Sequence, residues 1–219
     1  MNRSSSLVTT LVTVMAIAGC SSPGTTTSSG TTTSSAPTTA GSATSSSNPP
    51  VTVTVTSSPP QAQGSAGGID VTISAQGPTT LRPGGAPMRF NVTLINTTSG
   101  GMARVGLVVS LGHCSCATGA QMMPAGSLRL LDPDTKAWQT VPYVREGTGG
   151  DFLHTTLVEP FVLEQGQTIT YQLEIQLDAQ QDLTVAKGDS AINVTMTNTT
   201  TNTAVGVSPT ASLPISVEP

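Results

Sequence analysis

The chain has 219 residues, a formal net charge of −4, and charged side chains at only 9% of its positions. Its 8 Lys and Arg residues form neither a run nor a patch, whereas nucleic-acid binding needs several cationic side chains on one face to contact phosphates. The composition therefore excludes a nucleic-acid-binding protein.

Residues 1–19 have the layout of an export signal. Arg3 is followed by an apolar stretch, Leu7 to Ala18, that is too short and too thinly flanked to be a spanning helix. Ile17-Ala18-Gly19-Cys20 then resembles the lipobox of bacterial lipoproteins, in which small residues precede a cysteine. The resemblance implies cleavage before Cys20 and attachment of a diacylglyceryl group to its sulfur. A thiolate suits this step because it is the nucleophile best able to form a stable thioether.

Two other interpretations of the Cys20 region stay open: an ordinary secretory signal with an incidental cysteine, and a cytoplasmic protein with an apolar N-terminus. The lipobox resemblance implies a lipid-anchored protein on the extracytoplasmic face of the cell membrane, in a Gram-positive, actinobacterial envelope. Two or three acyl chains would hold it there, because each buried CH₂ contributes roughly 0.8 kcal/mol. The membrane is then its first expected partner.

Residues 20–66 are predicted to be the lipidated cysteine and a disordered tether rich in Ser, Thr and Pro. Arg3 is the only charged residue before Asp70, and every aromatic residue follows Asp70. Such a segment cannot bury enough apolar surface to offset its ordering entropy. Val51 to Thr56 alternates as a strand does, but Pro pairs flank it, so we interpret it as extended linker. Docking of that segment on the domain edge is the alternative.

Residues 67–219 are predicted to form one all-β domain, because the apolar period is two and not 3.6. Short strands punctuated by Gly and Pro favour an antiparallel β-sandwich of two sheets. The alternating apolar positions that predict the strands, in chain order, are Ile69 to Ala75, Phe90 to Leu94, Val105 to Leu111, Leu128 and Leu130, Trp138 to Val141, Ile169 to Leu177, Ile192 to Met196, and Leu213 to Val217.

Two segments repeat one pattern, "TLRPGGAPMRFNVTLIN" and "VLEQGQTITYQLEIQL", in which a Gly-containing turn precedes an alternating strand. Gly84 and Gly166 allow the backbone to turn tightly there. The pattern resembles that of bacterial Ig-like and fibronectin-III-like surface domains over most of Ile69 to Val217, and implies an Ig-like sandwich. The Cys…Trp…Cys signature of true immunoglobulin domains is missing, so Trp138 is expected to be a core or hairpin residue without a disulfide partner.

The segment "GHCSCATGAQMM" is the strongest candidate for chemistry. Cysteines of exported proteins usually pair, so Cys114 and Cys116, expected on one face of a strand, are a disulfide candidate. Unbound thiols are one alternative. The other is a soft-metal site for Cu or Zn at His113, Cys114 and Cys116, since thiolates favour these ions, although the spacing does not match a zinc finger.

Catalytic interpretations are weaker, and we expect neither an enzyme nor a cofactor. A Ser/His/Asp catalytic triad could be assembled from one of the many serines with His113 or His154 and Asp151. The sequence lacks the "GxSxG" motif of a nucleophile elbow, however. Gly147 to Gly150 is interpreted as a loop, and Asp132 with Asp134 as a turn in which Asp caps its own backbone.

The sequence thus predicts a membrane-anchored envelope lipoprotein that presents a non-catalytic β-sandwich as an interaction or structural module. Its partner would be another envelope protein or a cell-wall component, bound through loops or an exposed strand edge. The alternative is a lipoprotein that handles Cu or Zn through His113, Cys114 and Cys116. A hydrolase accessory domain is a third hypothesis.

Overall fold

The structure is a computed structural model that describes residues 58–101, 104–117, 122–146 and 152–219. The predicted signal peptide at residues 1–19, the lipidation of Cys20 and the linker at Val51 to Thr56 lie outside these residues. The described residues contain strands and no helix, which confirms the predicted all-β class. Accordingly, none of them belongs to a helix of the length and hydropathy needed to cross a membrane.

The strands are short and follow one another closely along the chain. In the described residues they are β1 (Gln61–Ala66), β2 (Ile69–Ala75), β3 (Thr80–Leu81), β4 (Met88–Asn96), β5 (Val105–Leu111), β6 (Gly126–Leu131), β7 (Trp138–Val141), β8 (Val144–Arg145), β9 (Thr168–Leu177), β10 (Gly188–Asn198), β11 (Thr203–Ala204) and β12 (Ala211–Val217).

These strands form two sheets, which confirms the predicted sandwich. Sheet A has the order β1-β2-β4-β9-β6-β7 and is antiparallel throughout. Sheet B has the order β3-β12-β10-β5-β8, with β11 also paired to β10. The expectation of purely antiparallel pairing is wrong at two short contacts, because β3 pairs with β12 and β8 pairs with β5 in parallel.

The core lies between the sheets and is made by the alternating apolar residues that the sequence singled out. Phe90, Val92 and Leu94 of β4 are fully buried, and so are Leu107 of β5 and Ile192 of β10. Each side chain of this kind contributes roughly 1.5–3 kcal/mol when it is fully buried. The period-two pattern therefore located these three strands and residues that they bury.

The folded region begins before the predicted boundary at residue 67, because Gln61–Ala66 form β1 and pair with β2. The segment was assigned to the tether since it lacks large apolar residues. Its small residues are what allow it to pack: a Cβ added at Gly64 would lie 1.6 Å from the backbone oxygen of Thr210. β1 thus contacts the other sheet by main-chain proximity, which hydrophobic periodicity does not detect.

Gly84 and Gly166 have φ angles of 67° and 69°. These values lie in the left-handed region that favours glycine. The predicted tight turns before β4 and β9 are therefore confirmed.

Candidate functional site

The cysteine loop, residues 112–117, follows β5 directly. Cys114 and Cys116 are buried, with 0% and 1% of their surface exposed, and their sulfur atoms lie 1.96 Å apart as a disulfide. The predicted close pair is confirmed, and the Cα atoms are 5.0 Å apart. The expectation that both lie on one strand face is wrong, because β5 ends at Leu111 and the cysteines lie in a turn.

Hydrogen bonds with the start of β10 and with the segment before it hold the cysteine loop in place. The Ser115 amide donates to the Asp189 carbonyl at 3.0 Å, and the Asp189 amide donates to Ser115 Oγ at 2.8 Å. The Ala186 amide donates to the Cys116 carbonyl at 2.8 Å. A loop held by these hydrogen bonds, with both cysteines in the hydrophobic core, is a structural element.

The structure does not bring the proposed metal ligands together. His113 is exposed, whereas Cys114 and Cys116 are buried and bonded to each other. Within the described ranges, no group of three or more His, Cys, Asp or Glu side chains is placed to hold a metal ion. The soft-metal alternative therefore gains no support from this geometry.

The structure gives no catalytic set at the other candidate polar residues that it describes. His154 is exposed in a turn, and Asp151 and Gly147–Gly150 lie outside the described residues. The predicted Asp132 turn is confirmed, because Asp132 Oδ1 accepts from the amides of Asp134 (2.9 Å) and Thr135 (2.8 Å). The hydrogen bonds from Thr135 and Asp134 lower the pKa of Asp132, as expected for a capping carboxylate.

The outward side of sheet A carries ordered rows of polar side chains, which we call the polar face. One row crosses β1, β2, β4 and β9 as Gln61, Ser74, Asn91 and Gln172, and the next as Gln63, Thr72, Thr93 and Thr170. These residues are exposed or half-buried. Cross-strand contacts order them, as in the hydrogen bond of 3.1 Å between the Thr93 and Thr170 hydroxyls.

The polar face continues into four side chains that we call the arginine cluster: Arg89, Arg129, Glu174 and Trp138. Glu174 of β9 is only 2% exposed and lies between β4 and β6. Its Oε2 accepts from Arg89 Nε at 3.2 Å, and its Oε1 lies 2.5 Å from Arg129 Nη2. The Arg89 guanidinium also lies over the Trp138 ring, 5.5 Å from the centroid. One buried carboxylate and one indole ring thus hold two guanidinium groups in fixed positions.

The sequence placed Trp138 on a returning hairpin strand, which is correct, but its role in the arginine cluster was missed. The period-two pattern does indicate that Arg89 and Glu174 point outward from their strands. It carries no information on which strands are neighbours. Only the order β4-β9-β6-β7 brings Arg89, Glu174, Arg129 and Trp138 together.

No family model and no curated protein matches this chain. Among solved structures, it is similar to a family 123 glycoside hydrolase from Clostridium perfringens, with 10% identity, a TM-score of 0.32, and coverage of 64% of this chain and 21% of that one. It is also similar to the ASH / PapD-like domain 7 of human CEP192, with 10% identity, a TM-score of 0.23, and coverage of 80% of this chain and 93% of that one. This chain spans about a fifth of the glycoside hydrolase. Such low scores carry no functional argument, and the fold assignment rests on the two sheets themselves.

Proposed function

We propose that this protein is a lipid-anchored envelope lipoprotein whose β-sandwich is a non-catalytic binding module, and that the polar face of sheet A is its binding surface. Lipid on Cys20 would hold the chain on the extracytoplasmic side of the membrane. The Ser/Thr-rich segment would separate the sandwich from the bilayer, leaving sheet A free to contact another envelope component.

The observation that carries this proposal is the polar face together with the arginine cluster. Arg89 and Arg129 are 56% and 36% exposed although both are fixed by Glu174. Long cationic side chains on a surface normally lose rotamer entropy when they bind a ligand. Here Glu174 already restricts both side chains in the free protein, so binding costs less rotamer entropy. This is the property of a pre-organised binding surface.

The anchoring part is tested with Cys20→Ala in intact cells. We expect the variant to be released into the medium or kept as the unprocessed precursor, whereas the wild type fractionates with membranes. The mass of the mature N-terminus checks acylation independently. A mature-sized Cys20→Ala protein that still fractionates with membranes would refute anchoring through this sulfur.

The binding part is tested by site-specific photo-crosslinking in intact cells. A photoreactive residue replaces Thr170, an exposed position on the polar face, and in a matched control it replaces Val207, which is 79% exposed in the segment before β12. We expect an envelope adduct from position 170 and none from position 207. Equal labelling at both positions, or no adduct at position 170, would contradict the proposal.

A further inference from the structure

We propose that the ligand of the polar face is an acidic polysaccharide, whose carboxylate or phosphate groups bind the arginine cluster and whose hydroxyl groups bind the neighbouring polar rows. This inference rests on the proposed function and specifies its ligand class. It follows from the charge, the exposure and the composition of the outward side chains of sheet A.

The charge of the arginine cluster selects an anion. Two guanidinium groups face a single carboxylate, so the cluster keeps an excess of one positive charge. Each guanidinium carries five N–H donors, and planar, bidentate recognition of carboxylate and phosphate is the property in which Arg differs from Lys. The outward acidic group on β2, Asp70, pairs with Ile95, six residues along β4 from Arg89, which is about 20 Å. Asp70 is therefore too distant to neutralise the cluster. The nearer carboxylate of Asp132, in the β6–β7 turn, accepts hydrogen bonds from the amides of Asp134 and Thr135 and from Gln139 Nε2.

The polar rows select a ligand rich in hydroxyl groups. The stable core of a protein–protein interface is enriched in aromatic residues, Met and Arg and depleted in Ser. The two rows instead contain only Gln, Ser, Asn and Thr. Ile95, which is 38% exposed, lies beside the rows, and Trp138 lies in the arginine cluster. Amide and hydroxyl side chains both donate and accept hydrogen bonds, as sugar hydroxyls do. Within these rows themselves a protein partner would find no apolar anchor.

The spatial arrangement fits a polymer better than a small ion. The rows cross four neighbouring strands, whose spacing is about 4.8 Å, and they adjoin the arginine cluster on β9. An extended chain of sugars can contact both regions at once, and this multivalent contact increases the overall affinity. A free acid would use the cluster alone.

The test measures binding of the mature chain to polygalacturonate, with dextran as a neutral polysaccharide and polyglutamate as a polyanion without sugars. We expect binding to polygalacturonate, much weaker binding to dextran, and polyglutamate affinity at least about tenfold below that for polygalacturonate, because polyglutamate lacks hydroxyls for the polar rows. Equal affinity for polyglutamate would mean that the surface binds any polyanion by charge alone, and it would overturn the inference. So would a lack of binding to polygalacturonate.

Variants locate the site. Arg89→Gln and Arg129→Gln should each weaken polygalacturonate binding by about tenfold and reduce its salt dependence, since a charge-assisted contact is lost. Arg82→Gln is the matched control: Arg82 is 62% exposed, is paired with Glu218 and lies outside the cluster, so its variant should bind within about twofold of wild type. Gln172→Ala should weaken polygalacturonate binding and leave the salt dependence unchanged. Equal losses in Arg82→Gln and Arg89→Gln would overturn the assignment to this face.

The two proposals fail in different ways. An adduct at position 170 in cells without binding to polygalacturonate would leave the binding module intact and reject the ligand class. Binding to polygalacturonate that Arg89→Gln does not weaken would reject the arginine cluster as the anion site. Absence of the adduct at position 170 would reject the function itself, and the ligand class with it.

Discussion

The outer faces of the two sheets differ in how much they are covered. On sheet A the outward residues of β4 and β9 are exposed or half-buried, apart from Glu174. On sheet B every residue of β5 is buried, and so is β10 from Ile192 to Thr197. The central strands of sheet B are therefore buried on both faces, whereas sheet A keeps one open face.

The cover over sheet B is built from side chains with specific partners. Asn193 Nδ2 donates to Glu146 Oε1 at 2.8 Å, Ser110 Oγ donates to the same oxygen at 2.7 Å, and Ser212 Oγ donates to Asn193 Oδ1 at 2.7 Å. These polar residues on sheet B thus satisfy one another through part-buried hydrogen bonds. Similar residue types on sheet A face solvent, which makes them available to a ligand.

The largest expected effect concerns Gly106 of β5, on the covered face. A Cβ there would lie 2.5 Å from Thr156 Cγ2 and 2.6 Å from Thr197 Oγ1. Gly106→Val should therefore lower the free energy of unfolding by about 1–3 kcal/mol through overpacking, despite the strand preference of Val. Urea unfolding measures the change.

The control for Gly106→Val is Thr168→Val, which places the same side chain on the open face, where Thr168 is exposed. We expect its free energy of unfolding to stay within about 0.5 kcal/mol of wild type. If the two Val variants lost equal stability, sheet B would be no more covered than sheet A.

The second prediction compares two amides. Asn193 is 7% exposed and bridges Glu146 and Ser212, so Asn193→Ala should cost about 1–3 kcal/mol by removing two part-buried hydrogen bonds, one of them to a carboxylate. Gln172→Ala, on the polar face, should change the free energy of unfolding by less than about 0.5 kcal/mol. Urea midpoints at constant m-value separate the two. A large loss in Gln172→Ala would mean that the polar face is a structural surface.

The third prediction concerns Tyr143, on the connection from sheet A to sheet B between β7 and β8. Burial raises the pKa of Tyr143 far above its usual value of 10, with Arg145 opposing the rise and Asp178 adding to it. The folded state then holds this proton more tightly than the unfolded state does. The resulting stability is fully present below pH 10 and is lost as the pH rises above it, by up to about 1.4 kcal/mol per pH unit.

Tyr143→Phe isolates this contribution. At pH 7 it should cost about 1 kcal/mol, because the hydroxyl donates to the Pro124 carbonyl at 2.7 Å. Above pH 10 the wild type should lose stability faster than the variant, so the difference between them shrinks. Chemical unfolding of both proteins at pH 7 and pH 10.5 measures this. A difference independent of pH would contradict the burial of the hydroxyl.

A structural feature could be predicted from the sequence only where it leaves a pattern among residues that are close along the chain. Apolar alternation, as in Phe90, Val92 and Leu94, identified the strands and their inward faces. β1 was missed, because Gly64 packs through the lack of a side chain. The arginine cluster was missed for another reason: Arg89 and Glu174 are 85 residues apart, and strand order, which joins them, leaves no local pattern.

The smallest expected change in the free energy of unfolding concerns two turns, one beside each sheet. Lys136, in the β6–β7 turn of sheet A, has a φ of 58°, and Asn202, in the β10–β11 turn of sheet B, has a φ of 51°. Asn tolerates this left-handed region better than Lys does. Lys136→Gly should therefore raise the free energy of unfolding by a few tenths of a kcal/mol up to about 1 kcal/mol, the relief of strain exceeding the entropy that Gly adds to the unfolded chain. Asn202→Gly should gain less, and thermal midpoints of both variants against wild type decide the order; a larger gain at position 202 would contradict the strain assigned to Lys136.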